Sequence, residues 1–142
     1  MTARRELMIA EVLARLQTVP NVAIVLREPN AQPSTMPALT LDDRGQQVLE
    51  TGAIHNLFAM SLVIGGYVAG IGTVPAATLN ALYADVVRAI FGDGAQLGGL
   101  AELVTEADLQ RDIAATDQKF TTLFELVITI QFRARTTDPA LL

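Results

Sequence analysis

The sequence contains no cysteine and no tryptophan, and only one histidine and one lysine in 142 residues. Without cysteine there is no disulfide, no thiolate metal site and no cysteine nucleophile. That absence fits any compartment and mildly favours a cytosolic origin. His55 is the single imidazole. It has no patterned carboxylate or nucleophile beside it and reads as a structural histidine. The serines are Ser34, in a proline-rich stretch, and Ser61, inside an apolar run. Neither has the base and orienting group that nucleophilic catalysis requires. Basic residues are outnumbered ten to fifteen, giving a net charge of −5, and they form no stripe. A chain of that sign repels a phosphate backbone, which argues against sequence-specific nucleic-acid recognition.

What is abundant is apolar: 51% of residues are hydrophobic and 18% charged. Either a membrane segment or extensive burial against other copies would account for that balance. The stretch 51–84 holds no Asp, Glu, Lys or Arg in 34 residues. Residues 57–74 reach the minimum length for a bilayer span. However, Gly65, Gly66, Gly70 and Gly72 weaken a helix there, and the nearest charges (Asp42, Asp43, Glu50, Asp85) are acidic rather than basic. A core segment of a non-membrane protein is the expectation. The opening Met-Thr-Ala-Arg-Arg leads into an amphipathic segment with no apolar leader core, so no secretory signal is expected. The length suits one domain spanning 1–142, large enough to bury about two thirds of its unfolded surface.

Periodicity assigns the elements. Residues 3–19 place Ile9, Val12, Leu13 and Leu16 on one helical face. Residues 22–27 alternate as a short strand. Residues 28–37 carry Pro29, Pro33 and Pro37 and form an extended loop. Residues 38–42, a turn at Asp43-Arg44-Gly45 and residues 46–50 read as a hairpin, with Leu39 and Leu41 facing in. From 57 to 68, Phe58, Met60, Leu62, Ile64 and Val68 form a bulky face, and Leu57, Ala59, Ser61, Val63, Gly65 and Tyr67 a smaller one. The second face suits contact with another subunit. Residues 75–91 form the clearest helix, its stripe running Leu79, Leu82, Tyr83, Val86, Val87 and Ile90. Leu103 and Thr105 suggest a short strand within an acidic, solvated run 102–117. Residues 119–135 alternate as a long strand, either central or half projecting. Residues 136–142 are expected to be a mobile tail unless docked. Strand runs with two separate helices imply an α+β fold: a mainly antiparallel mixed sheet with both helices packed on one face.

No pattern assigns chemistry. Asp42-Asp43 has no third ligand nearby and reads as solvated rather than metal-binding. Residues 70–75 lack the third glycine of a dinucleotide fingerprint and the Gly-Lys-Ser/Thr of a P-loop, and read as a strand-to-helix turn. No cofactor, metal or catalytic residue is expected.

Several segments, in order, carry a resemblance. The chain opens Arg-Arg-Glu-Leu-Met-Ile-Ala-Glu-Val-Leu-Ala-Arg-Leu, and Pro20-Asn21-Val22 enters the first strand. Met36-Pro37-Ala38-Leu39 precedes the second. The helix Ala77-Thr78-Leu79-Asn80-Ala81-Leu82-Tyr83-Ala84-Asp85-Val86-Val87-Arg88-Ala89-Ile90 is followed by Leu97-Gly98-Gly99-Leu100-Ala101. The ending runs from Phe124-Glu125-Leu126-Val127-Ile128 to Arg135-Thr136-Thr137-Asp138-Pro139. Across most of its length the chain thus resembles the tail-terminator (minor tail protein U-like) proteins of long-tailed bacteriophages and related prophage elements. The resemblance implies a non-enzymatic virion protein, assembled in the bacterial host cytoplasm as a homohexameric ring. That ring would end tail-tube polymerisation and present a surface for the head-side connector. Its partners would be itself, the tail-tube protein and a head-completion protein, with no membrane. Loop geometry nominates subunit contacts at Pro29, Pro33 and Pro37, at Asp42, Asp43, Arg44 and Gln46, and at Arg135. The alternatives are another neck, connector or tail-tube subunit, or a small-ligand-binding α+β domain.

Overall fold

The alternation over 57–68 and 119–135 becomes two long strands that pair with each other along their whole length. A computed structural model describes residues 3–116 and 119–140. Met1, Thr2, Asp117 and the last two tail residues, all part of the sequence reading, lie outside the described residues. The order is α1 (Arg4–Leu16), β1 (Ile24–Arg27), β2 (Ala38–Glu50), β3 (His55–Ile71), α2 (Ala76–Phe91), a short 3-10 turn (Leu97–Gly99), β4 (Leu103–Thr116) and β5 (Lys119–Arg135). The five strands make one sheet in the order β1-β2-β3-β5-β4. β1 and β2 are parallel, and every other pair is antiparallel. The fold is α+β, as the element order implied. Among the described residues no helix is long and apolar enough to cross a membrane.

Both helices cover one face. Met8, Ile9, Val12 and Leu16 of α1 and Leu79, Leu82, Val86 and Ile90 of α2 share a single core with Met60, Leu62 and Ile64 of β3 and Leu126, Ile128 and Ile130 of β5. The 3.6-residue stripe of each helix thus meets the period-two face of each strand. Phe58 packs against that core and stacks on Phe132 at 5.3 Å. The glycines that weaken a helix serve the sheet. Gly66 lies opposite Phe124 in register, and a Cβ there would stand 2.0 Å from the Phe124 ring. The ring fills the vacancy and meets Tyr83 edge-on at 5.9 Å.

Polar ties finish the helix ends. Arg15 joins α1 to the end of α2: its guanidinium donates to the Ile90 carbonyl at 3.0 Å and to both oxygens of Asp93 at 2.7 and 2.9 Å. A cation there complements the orphan carbonyls of the helix C-terminus. α1 has no side-chain cap. Its Arg4 N–H donates to the Pro139 carbonyl at 3.0 Å, so the tail through residue 140 docks on its own chain rather than hanging free. Thr136 adds an N–H bond to the Ile54 carbonyl at 2.8 Å.

Two expectations change. Residues 38–50 are one strand of 13 residues, not a hairpin. The turn signal is a bulge: the register with β3 slips between Asp43 and Gln46, and Gly45 supplies a φ of 91°. The actual hairpin partner of β2 is β3. Next, the short strand at Leu103 is a 14-residue edge strand that runs through the acidic stretch. Val104 is buried in the core and residues 105–115 are exposed, while the backbone is paired to β5 throughout. Of the two readings of β5, the central one holds: it lies between β3 and β4.

Gly66→Ala is expected to lower stability by about 1–3 kcal/mol, the usual range for overpacking a filled site. A thermal melt followed by circular dichroism measures it. An unchanged midpoint would mean that the Phe124 ring can move aside.

Candidate interaction surface

The charged side chains nearest the β2 bulge come from α1, not from the bulge alone. Arg5 donates to both Asp43 oxygens at 2.8 and 2.9 Å and to the Gln46 side-chain oxygen at 2.8 Å. The Asp43 carboxylate also accepts from the Gly45 N–H at 2.8 Å. One guanidinium therefore spans the two residues flanking the irregularity, a fork geometry suited to arginine. It holds the Asp43 carboxyl below its ordinary value, with the Gly45 N–H acting in the same direction. Asp42 points to the opposite face of the sheet, in register with Val63. Burial, and then the negative charge of Glu28, push its carboxyl up. Glu28 takes a left-handed φ of 49° and accepts from the Asp43 N–H at 2.6 Å.

These positions sort the nominated contacts. Asp43 and Gln46 are occupied within the chain by Arg5. Arg44 is exposed at the bulge. Pro33 is buried, Pro29 and Pro37 are half-buried, and the Pro37 carbonyl accepts from the Ala23 N–H at 2.8 Å, so the loop is tied to β1's entry. Arg135 ends β5 opposite His55. Pro37 precedes Ala38, which is level with Tyr67. At about 3.4 Å per residue the two ends lie roughly 40 Å apart along the sheet. The nominated residues therefore do not form one site.

The face of β3 turned away from the helices was expected to need a neighbour. It is largely covered already. Leu57 is flanked in register by Glu50 and Arg133, which approach to 3.6 Å, and it is 8% exposed. Ala59 lies between Gln47 and Gln131, and Val63 between Asp42 and Val127. Both are 6% exposed. Longer side chains on adjacent strands shield the small ones.

Exposed apolar area is found elsewhere. Val48, Leu49 and Ile54 mark the β2–β3 hairpin end, Ile71 and Val74 the opposite end, and Leu103, Leu109 and Ile113 the β4 edge. Sequence reading missed these because it treated 102–117 as a solvated charge run. The signal was the apolar Leu103, Leu109 and Ile113 recurring inside it. A narrow cleft of about 100 Å³ lies between α2 and β3, bordered by Pro20, Pro37, Val68 and Leu82. It is small beside the few hundred cubic ångströms typical of ligand sites.

No protein-family model matches the chain, and no curated protein matches it.

The two aspartates should respond to pH with opposite signs. Asp43, depressed when folded, contributes stability above its unfolded value near 3.8 that is lost as pH falls through its folded value. Asp42, raised when folded, contributes only below that value and loses the contribution as pH rises through its folded one. In melts at pH 7, Asp43→Asn should therefore lower the midpoint and Asp42→Asn should raise it. Both differences should shrink towards pH 3. Shifts of the same sign would contradict the assignment.

Proposed function

We propose that this chain is a structural subunit of a bacteriophage tail, closing the head-proximal end of the tail tube as a six-membered ring. In this reading it acts through shape and contact. The tube protein meets one side of the ring, the head-completion protein meets the other, and assembly takes place in the host cytoplasm before the subunit becomes part of the virion. The observation that carries the reading is where the exposed apolar side chains lie. They occupy both ends and one free edge of the sheet: Ile54 is 64% exposed, Ile71 81% and Ile113 45%. Contact on several sides at once is what a subunit between unlike neighbours needs. The ordered resemblance of the helix, strand and tail segments to tail terminators supports the same reading and supplies the ring size.

The test is assembly. Light scattering and negative-stain imaging across a concentration series, with and without tail tubes, should reveal rings, and adding the protein to polymerising tube subunits should fix tube length. A protein that stays monomeric throughout and leaves tube length unaltered would rule the proposal out.

A further inference from the structure

Besides the outer edge of the four-residue β1, two longer stretches of strand edge have no strand partner among the described residues. One is the outer edge of β4, whose neighbour is β5 alone. The other is the distal part of β2. β1 pairs only with residues 38–41, so residues 42–50 meet β3 on one side and no strand on the other. The Asp43 and Gly45 N–H groups already donate to the Glu28 and Asp43 carboxylates, which leaves 46–50 as the open part. Long edges are commonly blunted by lysine or proline. Neither residue occurs in 42–50 or in β4.

The two edges carry exposed apolar side chains on the same side of the sheet. Val48 shares the helix-covered side of the sheet with its partner Phe58, and Leu109 shares it with Leu126. Ile113 lies on the same side, opposite Thr122. These three side chains are 49%, 43% and 45% exposed. Directions agree as well. β2 to β3, β3 to β5 and β5 to β4 are each antiparallel, so β4 runs opposite to β2. A second copy in the same orientation presents its β2 antiparallel to the first copy's β4, with the helices of both on one side. Because Leu109 is level with Leu41 across the sheet, bringing Val48 to Leu109 slides the second copy about six residues along the strands, which also carries its β1 past the end of β4.

We propose that copies of this chain join edge to edge, β4 of one copy pairing antiparallel with residues 46–50 of the next and Val48 packing against Leu109 or Ile113. Each copy uses two different edges, so the contact is heterologous and repeats until it closes. The inference rests on the ring reading and names the surfaces that build the ring. Charge favours it over a two-fold pairing of β4 with itself. That alternative would set Glu106, Asp108 and Asp112 against the same acidic row, with Arg111 as the only basic residue of the strand. Residues 42–50 have the same formal charge but carry internal counter-charges: Asp43 is paired with Arg5, Glu50 lies 3.6 Å from Arg133, and Arg44 is exposed, which leaves Asp42 as the one acid of the three outside an ion pair among the described residues.

The absence of native cysteine makes the test clean. Val48→Cys is combined in one chain with Leu109→Cys or with Ile113→Cys, and the assembled full-length protein is mildly oxidised, with tail tubes present if rings need them. At least one pair should give a ladder of covalent multimers on a non-reducing gel, ending at the ring size. In parallel, Leu109→Lys/Ile113→Lys should keep the wild-type melt, because both side chains are exposed, while the concentration needed for assembly rises at least tenfold. If rings form but neither cysteine pair gives a ladder and the lysine variant assembles like wild type, the edge contact is overturned and the ring reading survives. A covalent dimer from Leu109→Cys or Ile113→Cys alone, without a ladder, overturns it in favour of the two-fold pairing. If no multimer forms under any condition, the ring reading falls and the edge contact falls with it.

Discussion

The antiparallel ladder between β3 and β5 is the constraint on which the rest of the structure depends. It runs without a register shift from His55 opposite Arg135 to Ile71 opposite Lys119. An uninterrupted ladder sends every second side chain to the same face, so Met60, Leu62 and Ile64 stand beside Leu126, Ile128 and Ile130 as one apolar platform. Both helices dock on that platform. A one-residue slip would turn it to the other side; in the observed register the Phe124 ring lies against the bare backbone of Gly66. The outer strands tolerate irregularity that the central pair does not: the bulges fall in β2 and β4.

Charge is organised around that platform by arginine. Arg5 grips the β2 bulge, Arg15 the end of α2, and Arg27 both oxygens of Glu6 at 2.6 and 2.8 Å. Each pair joins elements that the apolar core already brings close. Being partly exposed, each adds modest energy and fixes geometry more than it adds stability. The Arg5 fork spans the bulge at which an Asp-Asp-Arg-Gly sequence, paired with β3 on both sides of it, runs on as strand instead of reversing.

That pair explains where the sequence was legible and where it was not. The α2 stripe and the alternation of β5 could be read directly, since burial on one face imposes a period and the period survives in the residues. The same holds for α1 and β3. Residues 43–45 misled because local turn chemistry and a glycine bulge use the same residues, and the deciding partner, Arg5, is 38 positions away. β4 was underestimated because an edge strand open to water need not alternate. Its order comes from pairing with β5, which leaves little trace in side-chain type. The nominated contacts followed loops and charges, whereas the structure exposes its apolar side chains at strand ends and along an edge. Val48, Leu109 and Ile113 looked unremarkable singly, and they gain meaning only once β2 and β4 are known to flank the same sheet.

The topology also sets a timetable for folding. Strands β4 and β5 adjoin in sequence and can close as a local hairpin, whereas β3 must wait for β5 across an intervening helix and strand. Pairings of such long sequence separation form slowly. On the ribosome, β2 and β3 emerge well before β5 exists, so their apolar face stays uncovered on one flank for seconds at typical elongation speeds of about 5–20 residues per second. The central strand pair therefore cannot form until β5, the last element of the chain order, has been made.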